Sequence, residues 1–343
     1  MILKNGCKTA VLHFMKYAPL FVILFLVHFC SSAQNFEVDQ IEQLFRPRLR
    51  VDSRYVFDSP FADTLGKYNS KETSAVFTFP IKTKISADVK LDLSTLKIKD
   101  ILKNSVRFKA SQILGLVRMN GRQAFMGFDS LPQKNMAGAT VGLMGLRLTK
   151  KYRVMFWSAG VNISEQDRTF NQAAPRATAL LGQLHLRGMK KNFFYGAMLV
   201  YSDRLLLPLP FFGGSEPIGD KFIFNYTIPA QINLQYRPNN NLMITGGVNV
   251  DGYRSGIEYH LKRSNLNYAA AMAFASLRYK FKKALIARVE GGYLFYRQVS
   301  YTQTDVAKSN FQIRNSLYVQ VGFSILFGKT VWEKIFDNIS FGH

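Results

Sequence analysis

The chain has 343 residues, 48% hydrophobic, 14% aromatic and 20% charged, with 45 Lys and Arg against 22 Asp and Glu and a formal net charge of +23. That apolar and aromatic content excludes a disordered chain, and 24 Gly with 11 Pro are too few for a low-complexity fibre, so a packed or membrane-embedded structure is required. A charge of this sign first suggests a phosphate-rich partner, but the N-terminus points to a compartment without nucleic acid.

Lys4, Lys8 and Lys16 precede an apolar run over 20–29, and Ser31-Ser32-Ala33 then offers small residues at both positions a signal peptidase reads. Residues 1–33 therefore read as a secretory signal peptide cleaved after Ala33. A spanning helix needs about twenty apolar residues, roughly twice this run. Met15 is an alternative start, and bulky Phe29 before Cys30 argues against a lipoprotein cysteine. Cleavage removes both cysteines, Cys7 and Cys30, and with them any disulfide, thiol nucleophile or cysteine-ligated zinc.

Beyond Ala33 the longest apolar stretch, 205–212, is broken by Pro208 and Pro210, so no transmembrane helix is expected. Residues 34–47 form an N-terminal periplasmic segment. From there the hydrophobic period is two, the signature of strands with two unlike faces. Strands are expected at 48–57, 73–81, 85–93 and 107–117, with a short one at 124–128. Further on, Phe222, Phe224, Tyr226, Ile228, Ala230, Ile232, Leu234 and Tyr236 alternate with mostly polar partners in one continuous run. Leu317, Val319, Val321, Phe323, Ile325 and Phe327 do the same on odd numbers. These runs exceed the five or six residues usual in soluble strands and reach the roughly nine to eleven of a tilted membrane strand.

Short turns are expected at Asn120-Gly121, Lys150-Lys151, 188–191, 238–241 and 281–283, with Asn-Gly the preferred pair for a two-residue hairpin. Longer polar connections fall at 129–137, 164–176, 203–220, 251–266 and 298–310. Short turns on one rim and long loops on the other describe an all-β, transmembrane, antiparallel up-and-down barrel over 48–327, with the short side periplasmic. Five strands before Met136 and nine after it give about fourteen, or twelve if the weakest hairpin is lost. Pro80 and Pro229 each remove a ladder donor and should mark a bulge or strand end. The tail 328–343 repeats Trp332, Ile335, Phe336 and Ile339 at helical spacing and reads as an amphipathic periplasmic segment.

In the last strand Gln320, Gly322, Ile325 and Phe327 follow a polar-x-Gly-x-x-apolar-x-aromatic order. This resembles the signal read by barrel-assembly machinery, with the departure that sixteen residues follow the aromatic. Leu207-Pro208-Leu209-Pro210-Phe211-Phe212-Gly213, Ile228-Pro229-Ala230 and Asn239-Asn240 resemble an uncharacterised outer-membrane barrel family of Bacteroidetes, a domain of unknown function. The resemblance spans mainly 207–252 and implies the fold and an outer-membrane location without an activity.

Histidines after Ala33 are His185, His260 and His343, too few for most hydrolytic sites. His185, between Gln183 and Arg187, is placed on the lumenal face. His260 sits near Glu258 and Asp251 in a long connection, where solvated loop residues outweigh a metal site. No phosphate loop is found, since Gly246-Gly247 and Gly291-Gly292 lie inside strands. Catalytic residues, metal ligands, cofactors and a nucleic-acid partner are therefore not expected.

Lys150, Lys151, Lys190, Lys191, Arg237, Lys280, Lys282 and Lys283 cluster at short turns, facing anionic headgroups of membrane lipid. Lys90, Arg187 and Arg288, with Glu290 and His185, are assigned to the lumen, where they favour anions or form an internal salt-bridge network. The expected function is a non-enzymatic barrel, either a passive pore with anion preference or a structural wall protein. The alternatives are a binding or assembly component with a periplasmic or surface protein partner, a membrane-embedded hydrolase, and an exported soluble β-sandwich.

Overall fold

The computed structural model describes residues 47–89, 106–129, 131–149, 153–166, 173, 175–187, 191–202, 205–259, 262–281, 284–303 and 306–327. The proposed signal peptide, Lys90 and the tail lie outside them. All regular elements among the described residues are strands: β1 (Arg48–Pro60), β2 (Lys67–Val89), β3 (Val106–Met126), β4 (Gln133–Leu148), β5 (Arg153–Gln166), β6 (Arg176–Leu186), β7 (Asn192–Ser202), β8 (Leu205–Ile218), β9 (Phe222–Ile228), β10 (Gln231–Tyr236), β11 (Leu242–Tyr259), β12 (Lys262–Phe281), β13 (Leu285–Gln303), β14 (Val306–Gln312) and β15 (Ser316–Leu326). From β1 to β14 each strand pairs antiparallel with the next, β15 pairs with β13, and β1 pairs with β15 from Arg48↔Leu326 to Val56↔Tyr318, closing a fourteen-strand antiparallel barrel. β14 and β15 form one stave in two pieces, because both pair with β13, on either side of a break at Ile313. The near rim carries both chain ends of the barrel, joined by Phe327 N–H donating to the Pro47 carbonyl at 3.1 Å.

The total of fourteen agrees with the sequence reading, yet its parts do not. Residues 73–81 and 85–93 were expected as two strands; β2 runs through both, with a bulge between Pro80 and Lys82 that absorbs the proline. Asn120-Gly121 is no turn: both residues lie inside β3, paired with Ser74-Thr73 on one side and Gly138-Ala137 on the other. Conversely, the run 222–236 is two strands. The register Gln231↔Thr227 joins residues of equal parity, so the alternation passes unbroken across the turn at Pro229-Ala230. The expected loop 203–220 is mostly β8, and 251–266 and 298–310 are mostly strand as well, within β11–β12 and β13–β14.

Those last two misreadings share one physical cause, an inversion of polarity along the barrel axis. In the near half Val321, Phe323, Val289, Leu234 and Leu181 point outward and are exposed, while Gln320, Glu290, Asn233 and Thr245 point inward. In the far half the apolar side chains turn inside. Tyr68, Met126, Ile257, Leu266, Met272, Val299 and Tyr301 are all at most 2% exposed and form one cluster with Phe61, Met136 and Tyr253. Lys71, Gln123, Gln133, Asn135 and Asn310 face out there. On β13 a bulge makes the switch: Ala271 pairs with Tyr296 and Met272 with Leu294, so Phe295 is extra and the inward parity changes from Leu294 to Arg297.

The far half also closes over fewer strands. β11 bends inward above Asp251 and meets β5 through a parallel bridge, Gly256↔Glu165, with Ser164 Oγ donating to Ser255 Oγ at 3.1 Å. β6–β8 are thereby left as a flap outside this smaller ring. Placing Arg at Val321, mid-strand on the exposed outer face, is expected to cost about 2–4 kcal/mol if that face meets hydrocarbon. Leu266→Ala in the dry far-half core is expected to cost a similar 2–5 kcal/mol through its cavity. Denaturant titration in lipid vesicles measures both, and a Val321→Arg cost below about 1 kcal/mol would place that face in water.

Candidate functional site

Between the two halves lies a cavity of about 160 Å³, space for on the order of ten waters. One wall is polar and comes from β1–β3, β9–β13 and β15. Inward residues recur at every second position here, so β1 alone points Arg50, Asp52 and Arg54 inward, the last two lining the cavity. Arg50 Nε lies 2.5 Å from Asp52, whose other oxygen accepts from Gln320 Nε2 at 3.4 Å. Arg54 donates to Gln320 Oε1 at 3.0 Å, sits 5.0 Å over the Tyr318 ring, and pairs with Asp251 on β11. Arg122 pairs with Glu72 and stacks 3.4 Å over Tyr253. Arg288 pairs with Glu290, which also accepts from Tyr318 OH at 2.9 Å.

The opposite wall is apolar. Leu180, Met198, Leu209 and Phe211 line the cavity from β6–β8. Below them towards the near rim, Leu114, Met144, Leu146, Val154, Phe156, Leu184 and Phe194 pack into a second inward cluster. The ceiling is aromatic: Tyr253 and Tyr268 stack at 5.0 Å, Tyr68 and Tyr268 at 5.7 Å, and Tyr259 and Tyr301 at 4.3 Å. Arg297, fully buried, lies 4.8 Å over Tyr68 and donates to Ser59 Oγ at 2.5 Å and the Arg314 carbonyl at 3.1 Å.

Of the residues assigned to the lumen from sequence, Arg288 and Glu290 line this cavity as an ion pair. His185 and Arg187 do not, which corrects their assignment. On β6 the inward residues are the apolar Leu180 and Leu184, so Gln183, His185 and Arg187 fall on the outer face. His185 stacks on Tyr195 at 5.7 Å and Arg187 lies 5.8 Å from the Phe193 ring, a polar girdle at the near rim. Gln320 and Gly322 face inward, and Ile325 and Phe327 outward at 41% and 55% exposure. At the short turns Lys191 has an acidic partner, Glu216 at 2.6 Å. His260 lies outside the described residues, among which no group of three His, Cys, Asp or Glu could hold a metal.

Arg54, Glu72, Arg118, Arg122, Asp251 and Arg278 line the cavity and were missed. The alternation of Arg50, Asp52 and Arg54 with Val51 and Tyr55 carried the signal on β1, while Asp251 was hidden by the reading of 251–266 as a loop. Glu72→Ala strands the Arg122 guanidinium and is expected to cost about 3–5 kcal/mol. The apolar double replacement Glu72→Leu with Arg122→Met should recover most of that loss in a double-mutant cycle read by denaturant unfolding.

Among solved structures, the chain is similar to an outer-membrane channel of Pseudomonas putida F1 at 9% identity, covering 85% of this chain and 100% of that one, with a TM-score of 0.42. The beta domain of the Bordetella autotransporter BrkA matches at 8% identity over 82% of this chain and 100% of its own, TM-score 0.34. Omp33 of Acinetobacter baumannii matches at 9% identity over 82% and 99%, TM-score 0.34. No curated protein matches the sequence. The family described as Domain of unknown function (DUF6268) matches residues 32–326, most of the chain and the whole of the barrel, and the protein belongs to that family.

Proposed function

We propose that this protein is a non-enzymatic outer-membrane transport barrel, shut along its axis, whose cavity takes up a small molecule. The apolar outer face of the near half supports the membrane location, since a closed barrel leaves no strand edge and such a face is otherwise costly in water. Residues 1–33 export the chain, with cleavage after Ala33. Barrel-assembly machinery then reads Gln320, Gly322, Ile325 and Phe327. The near rim is periplasmic in this reading, as both ends of the barrel lie there.

The observation that supports a closed state is the far-half core, where Leu266, Ile257 and Met272, at 0% exposure, pack into one apolar cluster inside the barrel. The lumenal charges speak against a steady anion-selective pore, because Arg54, Arg122 and Arg288 each have a carboxylate partner. In planar bilayers the folded, inserted protein is expected to show no steady conductance. Loosening the core, with Leu266→Ala and Met272→Ala together, should introduce flickering openings. Steady anion-selective steps from the wild-type protein that shrink on neutralising Arg288 would establish the pore reading instead.

A further inference from the structure

The wall of the barrel has an opening. β9 and β10 are 7 and 6 residues long, and their hairpin stops at Pro229-Ala230 while both flanking strands continue. β8 pairs with β9 only from Phe212 onward, so Leu205 to Phe211 are bonded to β7 alone. β11 pairs with β10 up to Asn249, Val250 N–H adds one bond to Ala230, and above it the strand turns away to β5. The frame is completed at the top by Arg254 Nη1 donating to Ser202 Oγ at 2.8 Å, which ties β11 to the flap.

The sequence keeps this frame open. Pro208 and Pro210 occupy alternate positions of the one-sided stretch, opposite Leu199 and Ala197. Alternate residues of a strand direct their N–H groups to the same side, and the ladder to β7 uses the other set. The free edge therefore lacks two of the three donors that another strand would need, with Leu206 keeping its own. Its unmet demand in hydrocarbon is smaller for the same reason.

The cavity reaches the frame from inside: Leu209 and Phe211 on one margin, Pro229 and Ala230 on the sill, and Asp251 and Gly252 on the other margin all line it. Outside, Leu199, Tyr201 and Leu206 stand 42–56% exposed beside the opening, so its mouth is apolar. Within, the apolar wall faces Arg118, which has no ion-pair partner among the described residues although Glu72 is near enough to feel its charge.

We infer that the frame between β8 and β11 is a lateral portal by which a single-chain amphiphile with one anionic head passes between the outer leaflet and the cavity. The head meets Arg118 and the adjoining carbons lie along Leu180, Met198, Leu209 and Phe211, while the rest of the tail, too long for a cavity of about 160 Å³, extends through the portal. An apolar tail matches the wall and the mouth, and a single negative charge matches Arg118, a cavity cation without an ion pair among the described residues. The inference rests on the membrane placement proposed above but not on the axial seal.

Two measurements on the full-length protein test it. Native mass spectrometry in a nonionic detergent with oleate as probe is expected to retain one oleate per barrel. Arg118→Gln should weaken retention about tenfold, the loss of one charge-assisted contact, with Arg118→Lys recovering part of it. In vesicles, a long-chain carboxylate with a diazirine at its tail end should label 205–211 and 229–230 on irradiation. Leu209→Glu, which puts a carboxylate in the mouth, should abolish that labelling while Val321→Glu, far from the mouth, leaves it intact. No oleate retention by a heat-modifiable, folded barrel, or labelling confined to outward positions such as Val319 and Val321, overturns the portal. A barrel that conducts steadily yet binds oleate overturns the axial seal and leaves the portal standing.

Discussion

Within the hydrocarbon of a bilayer a peptide N–H or C=O can bond only to protein, and a sheet meets that demand by closing on itself. The seam between β1 and β15 is therefore what the rest of the barrel depends on: nine residue pairs in unbroken register, from Arg48↔Leu326 to Val56↔Tyr318. Where the wall does not close, between β8 and β11, the chain spends its prolines. Pro208 and Pro210 sit where a donor would otherwise face the opening, and Pro229 ends the hairpin that forms its sill.

Above and below the cavity the same strands obey opposite rules. In the near half the outer face is apolar and the inner face mixed, polar on β9–β15 and β1–β2 but apolar on β3–β8. In the far half the inside is dry and aromatic, as in a soluble barrel. The Phe295 bulge performs the exchange on β13, and the polar layer lies between the two apolar regions. Buried charges are tolerated there because Arg54–Asp251, Arg122–Glu72 and Arg288–Glu290 satisfy one another and carry further hydrogen bonds or ring contacts.

Much of this was legible in the sequence, though unevenly. Where one face met an apolar surround and the other a polar interior, as in 317–327, period-two alternation placed every side chain on its proper face. The same rule failed at His185 because β6 is apolar on its inner face, so polar no longer meant lumenal. It failed at 251–266 because the apolar set moves inside in the far half, so a strand whose Tyr253 and Ile257 point inward does not show the outward apolar alternation of the near half. Asn120-Gly121 misled for a different reason: strong local turn propensity yields to ladder bonds on both sides of β3. The strand total survived because two turns wrongly placed inside β2 and β3 added two strands, offsetting the two missed at β8 and at the β9–β10 turn.

The polar network described in the cavity crosses the seam. Arg54 on β1 bonds Gln320 on β15, Gln320 bonds Asp52, and Tyr318 bonds Glu290, while Arg54 also reaches Asp251. Partners 266 and 268 residues apart in the chain cannot find one another until nearly every stave is in place. Such contacts carry the largest loop-closure entropy in the molecule and belong to its final folding step. Until that moment the arginines and carboxylates are separate charges at two open edges, well hydrated and mutually attractive. The layer that neutralises the lumen thus doubles as a latch, drawing the first and last strands together and specifying which edge meets which.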